Sequence, residues 1–200
     1  MKSIIISIII FVFTLNAHAQ KLLTVLENYR PLKNAHSVNE GKVWDDFYDE
    51  MPAVRRIIVP GFTWKWAGYT FDTLFIGQGR IVAEKHGILL NLGMFEDLCD
   101  RGIGTDSSLS PISWKIVRKW RKKIVIIEWE NAGYFDDWSY RGRCDRHIHF
   151  QLWLYEKDHR VELHCHRDLW FRDAAAPLRK AEARLLLPEG QKVFALTYQP

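Results

Sequence analysis

Four histidines stand in two His-x-His pairs, His147 with His149 and His164 with His166, inside a stretch where apolar and polar residues alternate. If Lys157 and Asp158 form a two-residue turn, the flanking segments pair antiparallel, so that His149 faces His166 and Gln151 faces His164. Directly opposed residues have Cβ atoms about 4.5 to 5.5 Å apart, close enough for two imidazoles to share a zinc or copper ion. The plainer alternative is a row of solvent-facing or partly packed histidines beside Trp153. The same face carries Gln151, Trp153, Tyr155 and Glu162, aromatic platforms flanked by hydrogen-bonding groups, a combination that suits sugar rings. Its alternative is a face packed under another part of the chain, with residues 131–145 as the candidate cover.

Other groupings carry less. Glu128 and Glu130 share a strand face about 6.5 to 7 Å apart, and Asp136 and Asp137 follow closely, so a glycosidase-like carboxylate pair is conceivable. Acids at a strand end are equally ordinary solvated surface. Asp97, Asp100 and Asp106 could meet calcium in a loop but lack the EF-hand spacing. Gly77-Gln78-Gly79 is a turn rather than a nucleotide loop, because no helical pattern follows it. No Gly-x-Ser-x-Gly elbow, His-Glu-x-x-His helix or Cys-x-x-Cys pair occurs, and the expectation is a non-enzymatic chain with no cofactor, zinc or copper being the alternative.

The elements that must position these residues are strands. Ile148, Phe150, Leu152 and Leu154 fall on one parity and His147, His149, Gln151, Trp153 and Tyr155 on the other, the period of two of a half-buried strand. Val161, Leu163 and Cys165 repeat the pattern, and the turn register sets Leu154 against Val161, Leu152 against Leu163 and Phe150 against Cys165. A slip by one residue would expose all of them. Upstream, residues 112–117 and 123–130 form a further pair, the second apolar on both parities near its start, as in a strand covered on both sides. The basic tip between them, 118–122, is either a solvated hairpin end or a site for an anionic surface or glycan sulfate.

Turn signals at Pro60-Gly61, Gly68, Gly77-Gln78-Gly79 and Pro188-Glu189-Gly190 separate further strand-like runs. Residues 22–26 read as a helix start or an edge strand. Residues 43–48 read as a covering segment that packs Trp44 and Phe47, residues 96–110 and 131–145 as loops, and residues 174–187 as ambiguous with a short helix expected. Many short strands spaced by turns argue for an all-β fold, an antiparallel sandwich or jelly roll, with an irregular N-terminal segment.

Residues 1–19 combine Lys2, an apolar run and Ala17-His18-Ala19, which predicts a signal peptide followed by one domain over 20–200. The chain of 200 residues carries a net charge of +4, and loss of Lys2 lowers it by one, too mild for nucleic acid. No later segment suits a membrane span, so the expected location is the periplasm or the extracellular space. Three cysteines in an exported chain allow one disulfide. Cys165 lies on the core parity, which leaves Cys99 and Cys144 as the expected pair.

Several runs then occur in a telling order. They are Asn39-Glu40-Gly41-Lys42-Val43-Trp44-Asp45-Asp46, Phe62 with Gly68-Tyr69-Thr70, Leu74-Phe75-Ile76, Asp97-Leu98-Cys99-Asp100-Arg101-Gly102, Ile127-Glu128-Trp129-Glu130-Asn131-Ala132-Gly133, and Phe150-Gln151-Leu152-Trp153-Leu154-Tyr155-Glu156. Over roughly Tyr29 to His166 the chain resembles an uncharacterised β-sandwich module of secreted and surface proteins from bacteria that use type IX secretion. The resemblance implies fold class and location and brings no catalytic residues. It departs from the pattern at Leu163-His164-Cys165-His166, where a Phe-Gly-Pro type turn is usual, and a C-terminal sorting domain is not expected here. The expected role is an extracellular binding or structural module whose partner is a glycan or a cell-surface component, and the alternative is a metal-dependent activity on the histidine face.

Overall fold

The computed structural model describes residues 23–26, 28–44, 55–58, 61, 63–66, 69–77, 80–83, 88–92, 98–119, 121–156, 160–165, 182–187, 190–195 and 197–198. The expected signal peptide, Phe47, Asp97, His166 and the Lys157-Asp158 turn lie outside the described residues. The chain is an all-β protein. Its strands are β1 (Leu23–Leu26), β2 (His36–Ser37), β3 (Arg55–Ile58), β4 (Trp64–Trp66), β5 (Tyr69–Phe71), β6 (Thr73–Gly77), β7 (Arg80–Ala83) and β8 (Ile88–Leu92). They continue with β9 (Leu98–Cys99), β10 (Ile112–Lys119), β11 (Lys122–Tyr134), β12 (His147–Tyr155), β13 (Val161–Cys165), β14 (Glu182–Leu187), β15 (Gly190–Ala195) and β16 (Thr197–Tyr198). Between β11 and β12 stands the helix α1 (Phe135–Arg141).

One sheet runs β16-β1-β13-β12-β11-β10-β2, with β9 joined to the far end of β11. A second runs β15-β14-β8-β7-β6-β3, and β4 pairs with β5 alone. The alternating register predicted for β12 and β13 is observed pair for pair, from Phe150 opposite Cys165 to Leu154 opposite Val161. β11 continues the same sheet, Val125 lying opposite Leu154, Ile127 opposite Leu152 and Trp129 opposite Phe150. One face of these three strands is therefore a continuous apolar surface. Val125, Ile127, Trp129, Ile148, Phe150, Leu152, Leu154, Val161, Leu163 and Cys165 are all buried on it. Each such side chain contributes about 1.5 to 3 kcal/mol relative to exposure, and the Trp129 and Phe150 rings stack at 4.7 Å.

Three expectations are corrected. Of residues 22–26, the described Leu23–Leu26 supply neither a helix nor an edge strand: β1 lies inside the large sheet, parallel to both β13 and β16. A short apolar run carries no mark of strand direction, so only its distant partners set it. Within the stretch where a short C-terminal helix was expected, Glu182–Leu187 is strand β14, paired on both sides by β8 and β15. Its Ala, Leu and Arg content favours helix only weakly, and two ladders of hydrogen bonds override that preference.

The third correction is at residues 131–145, which are not one loop. β11 runs on to Tyr134 through a bulge between Trp129 and Ala132. Asn131 takes a left-handed backbone there, φ 56°, so the strand absorbs one extra residue and continues. α1 then follows, with Asp136 and Asp137 in its first turn and Arg141 in its last, both complementing the helix dipole. Gly142 closes it in the left-handed region at φ 67°, its N–H donating to the Trp138 carbonyl.

Residues 28–44, irregular apart from β2, are well tied. Val38 N–H donates to the Ile112 carbonyl and Asn39 Oδ1 accepts from Ile112 N–H, which fixes the start of β10. The buried Trp44 indole donates to the Ser110 carbonyl. That agrees with the covering role expected for Trp44.

Candidate functional site

In the observed register the polar face of the large sheet gathers Ser113, Glu128, Gln151 and His164 in one row across β10, β11, β12 and β13. A second row holds Trp153 and Glu162, and Tyr155 lies beside Ile124 one step on. The sequence brings these residues together as expected. Glu128, Gln151, Glu162 and His164 are nevertheless almost wholly buried.

The cover is the irregular segment 28–33, which crosses the strands as a strap. Leu32 N–H donates to both Glu128 oxygens, at 3.1 and 3.2 Å. Gln151 Nε2 donates to the Arg30 carbonyl at 2.6 Å and to Glu128 Oε1 at 2.8 Å. Ser113 Oγ donates to Glu128 Oε2 at 3.2 Å, and Lys115 Nζ donates to the Lys33 carbonyl. Tyr29 N–H donates to the Cys165 carbonyl, and Leu32 packs on Ile124, Ile126 and Tyr155. Burial and the Glu128 carboxylate push the Tyr29 hydroxyl well above the usual phenol range. The expected cover, residues 131–145, does not play this part.

The four residues singled out for sugar binding are joined in two pairs. Trp153 Nε1 donates to Gln151 Oε1 at 3.0 Å, and Tyr155 OH donates to Glu162 Oε2 at 2.6 Å. Burial alone would raise the Glu162 carboxyl, but hydrogen bonds from His164 and Tyr155 and the Arg160 charge outweigh it and hold it below the usual carboxylate range. Burial and the Glu162 carboxylate in turn raise Tyr155 well above the ordinary phenol value.

The histidines divide. His164 stacks on Trp153 at 4.1 Å, donates from Nε2 to Glu162 at 3.0 Å and meets the Asn28 amide at Nδ1. Both of its ring nitrogens are thereby occupied by protein. His149 Nδ1 accepts from Asn131 N–H at 3.3 Å, and its ring lies 5.6 Å from Tyr29. His147 meets His149 edge-on at 5.3 Å, and its buried Nδ1 has no hydrogen-bond partner. Burial and the Arg101 charge lower its pKa, against the pull of the Asp145 backbone. Among the described residues no three His, Cys, Asp or Glu side chains converge as metal ligands.

Two of the acidic candidates, Asp100 and Asp137, are likewise used internally. Asp100 Oδ1 accepts from Gly102 N–H and Leu109 N–H and its Oδ2 from Ser108 Oγ, so this buried carboxylate organises the 100–110 loop. Asp137 binds Arg146 through both oxygens, the shortest contact 2.7 Å, and the arginine's hydrogen bonds hold its carboxyl below the usual range. Glu130 is raised by burial and by Glu128.

Beyond the strap, the same face opens at the end where the β10–β11 and β12–β13 hairpins meet. Lys119, Lys122, Ile124, Tyr155 and Arg160 line a cavity of about 350 Å³ there. Ile124 and Tyr155 form an apolar floor, with the Arg160 guanidinium 4.1 Å from the centre of the Tyr155 ring and 3.3 Å from Glu162. Lys119 pairs with Lys122 across the hairpin end, which sets both on the side of Ile124. Of the expected ligand residues only Tyr155 reaches this groove. The basic tip was visible in the sequence, whereas Arg160 joins it only through the β12–β13 turn. No known family model, curated protein or solved structure matches this chain.

Proposed function

We propose that the chain is a secreted, non-enzymatic extracellular binding module, built as a β-sandwich of the kind found in bacteria with type IX secretion, and that it binds acidic glycans. The observation that carries this reading is the groove in which Lys119, Lys122 and Arg160 surround the Tyr155 and Ile124 floor. An aromatic surface takes the face of a sugar ring, and cations at its rim take a sulfate or carboxylate. The buried Glu128, Gln151 and His164 support it differently: their hydrogen bonds hold the strap, which leaves the uncovered end of the face for a ligand.

Affinity for a panel of sulfated, uronic-acid and neutral oligosaccharides tests it. The acidic sugars should bind, weaken as salt rises, and lose at least tenfold in Kd with Lys119→Glu and Lys122→Glu combined. Neutral sugars bound as tightly would overturn the anion requirement. Binding to anionic vesicles but to no acidic sugar would replace the glycan by a membrane surface.

A second reading rests on His147, whose buried Nδ1 lacks a partner beside His149. In it, His147 and His149 hold zinc or copper, and His166, which lies outside the described residues, is the further ligand the sequence offers. Metal that survives dialysis of the wild type and is lost in His147→Ala would support it, and metal-free purified protein that binds neither ion would remove it.

A further inference from the structure

Cys99 and Cys144 are separated by 45 positions, yet their sulfurs lie 3.0 Å apart in the interior, either one able to donate to the other. Two different elements bring them there. Cys99 sits on β9 directly opposite Gly133 of β11, and Cys144 follows the turn after α1. Gly133 is the opening through which they meet: a Cβ on it would fall 2.7 Å from Cys144 Cβ and 2.9 Å from Cys144 Sγ. Arg101 Nε donates to the Cys144 carbonyl at 3.2 Å, which holds the second strand of chain against the first. Cys165 lies elsewhere, buried on β13 opposite Phe150.

We infer that Cys99 and Cys144 are a structural disulfide of the exported protein, formed by exchange with a disulfide oxidant. A bonded pair stands at about 2.04 Å, so closure requires a movement of only about 1 Å. In the exchange, one cysteine thiolate attacks the oxidant's disulfide and forms a mixed disulfide, releasing one oxidant thiol. The second cysteine then displaces the remaining oxidant sulfur. The protein gives up two electrons and two protons, and the oxidant disulfide leaves as two thiols. Both side chains are buried, at 0% and 6% exposure, so the bond forms before packing is complete and afterwards resists reductant.

The bond would tie the 100–110 loop to the end of α1. Both meet the far end of β11, beyond its bulge, where β9 pairs with it along only two residues. A short ladder offers little resistance to fraying, and a cross-link closing a long loop removes the open states of that region.

The full chain, unfolded and reduced, is refolded in mixed oxidised and reduced glutathione, alkylated, and digested without reductant for mass mapping. The expected result is one linked peptide pair joining Cys99 to Cys144, with Cys165 alkylated. All three cysteines alkylated, or a bridge that includes Cys165, would overturn the inference. Thermal melting gives an independent reading: the oxidised form should unfold roughly 5 to 15 °C above the reduced form. Equal midpoints for the two forms would also overturn it, because a bond that leaves stability unchanged is not structural. Neither measurement depends on the groove, so failure of glycan binding leaves this result standing.

Discussion

Glu128 shows why a chemically promising residue can be structural. Its carboxylate is 2% exposed and receives Leu32 N–H on both oxygens, Gln151 Nε2 on one and Ser113 Oγ on the other. Replacing it by leucine removes the acceptor but leaves those buried donors, and an unsatisfied buried donor costs about 1 to 3 kcal/mol. Glu128→Leu should therefore lower stability to urea by at least that much, whereas Glu128→Gln, which keeps one oxygen, should lose less. Equal losses for the two would mean that shape rather than hydrogen bonding matters at this position. Alternation and the expected turn set Gln151 opposite His164 in the sequence, but the neighbours of Glu128 were not legible, because nothing in β11 marks β12 as its partner. The strap was hidden too, because Asn28 to Lys33 has no periodicity, and its bonds to Gln151 and Glu128 run from backbone groups that every residue owns. Asn39, Asp100, Glu128 and Gln151 are buried, and all make side-chain bonds to main chain. Residues of this kind stand out in a sequence because polar side chains are costly to bury without such partners.

At the scale of elements, strands were easier to read than the feature that interrupts them. β12 and β13 have a strict period of two and pair as expected, and the basic tip closes β10 on β11 with Lys119 opposite Lys122. The helix α1 was missed although its signals are present: Phe135 and Trp138 stand one turn apart, Asp136 and Asp137 fill the first turn, and Arg141-Gly142 ends the run. Seven residues give too little periodicity to outweigh the surrounding Asn and Gly. Gly142 is the decisive stop. Its φ of 67° suits glycine, and a Cβ there would meet nothing within 4 Å, so alanine would cause backbone strain alone. Gly142→Ala should cost about 1 kcal/mol, read from chemical denaturation, with strand content unchanged. A loss above about 3 kcal/mol would show that the helix end is packed more tightly than its open surroundings indicate.

For the whole molecule, buried polar groups make folding sensitive to pH at both extremes. Asp137 and Glu162 ionise below the usual carboxylate range in the folded chain, through Arg146 in one case and through His164, Tyr155 and Arg160 in the other. Their contribution is complete above the unfolded carboxylate range, near about 4, and is lost as the pH falls towards the folded values. Tyr29 and Tyr155 are raised in the fold by burial and by Glu128 and Glu162. Their contribution is complete below the ordinary phenol value of about 10 and is lost as the pH climbs beyond it. Urea midpoints should thus fall steeply below about pH 4 and again above about pH 10. Glu162→Gln should flatten the acid limb and Tyr155→Phe the alkaline one. The two substitutions act on a single hydrogen bond, Tyr155 OH to Glu162, so their costs at neutral pH should add to more than that of the double variant. If they simply add, Tyr155 and Glu162 are held by separate contacts rather than by their shared hydrogen bond, and the two limbs would then shift independently.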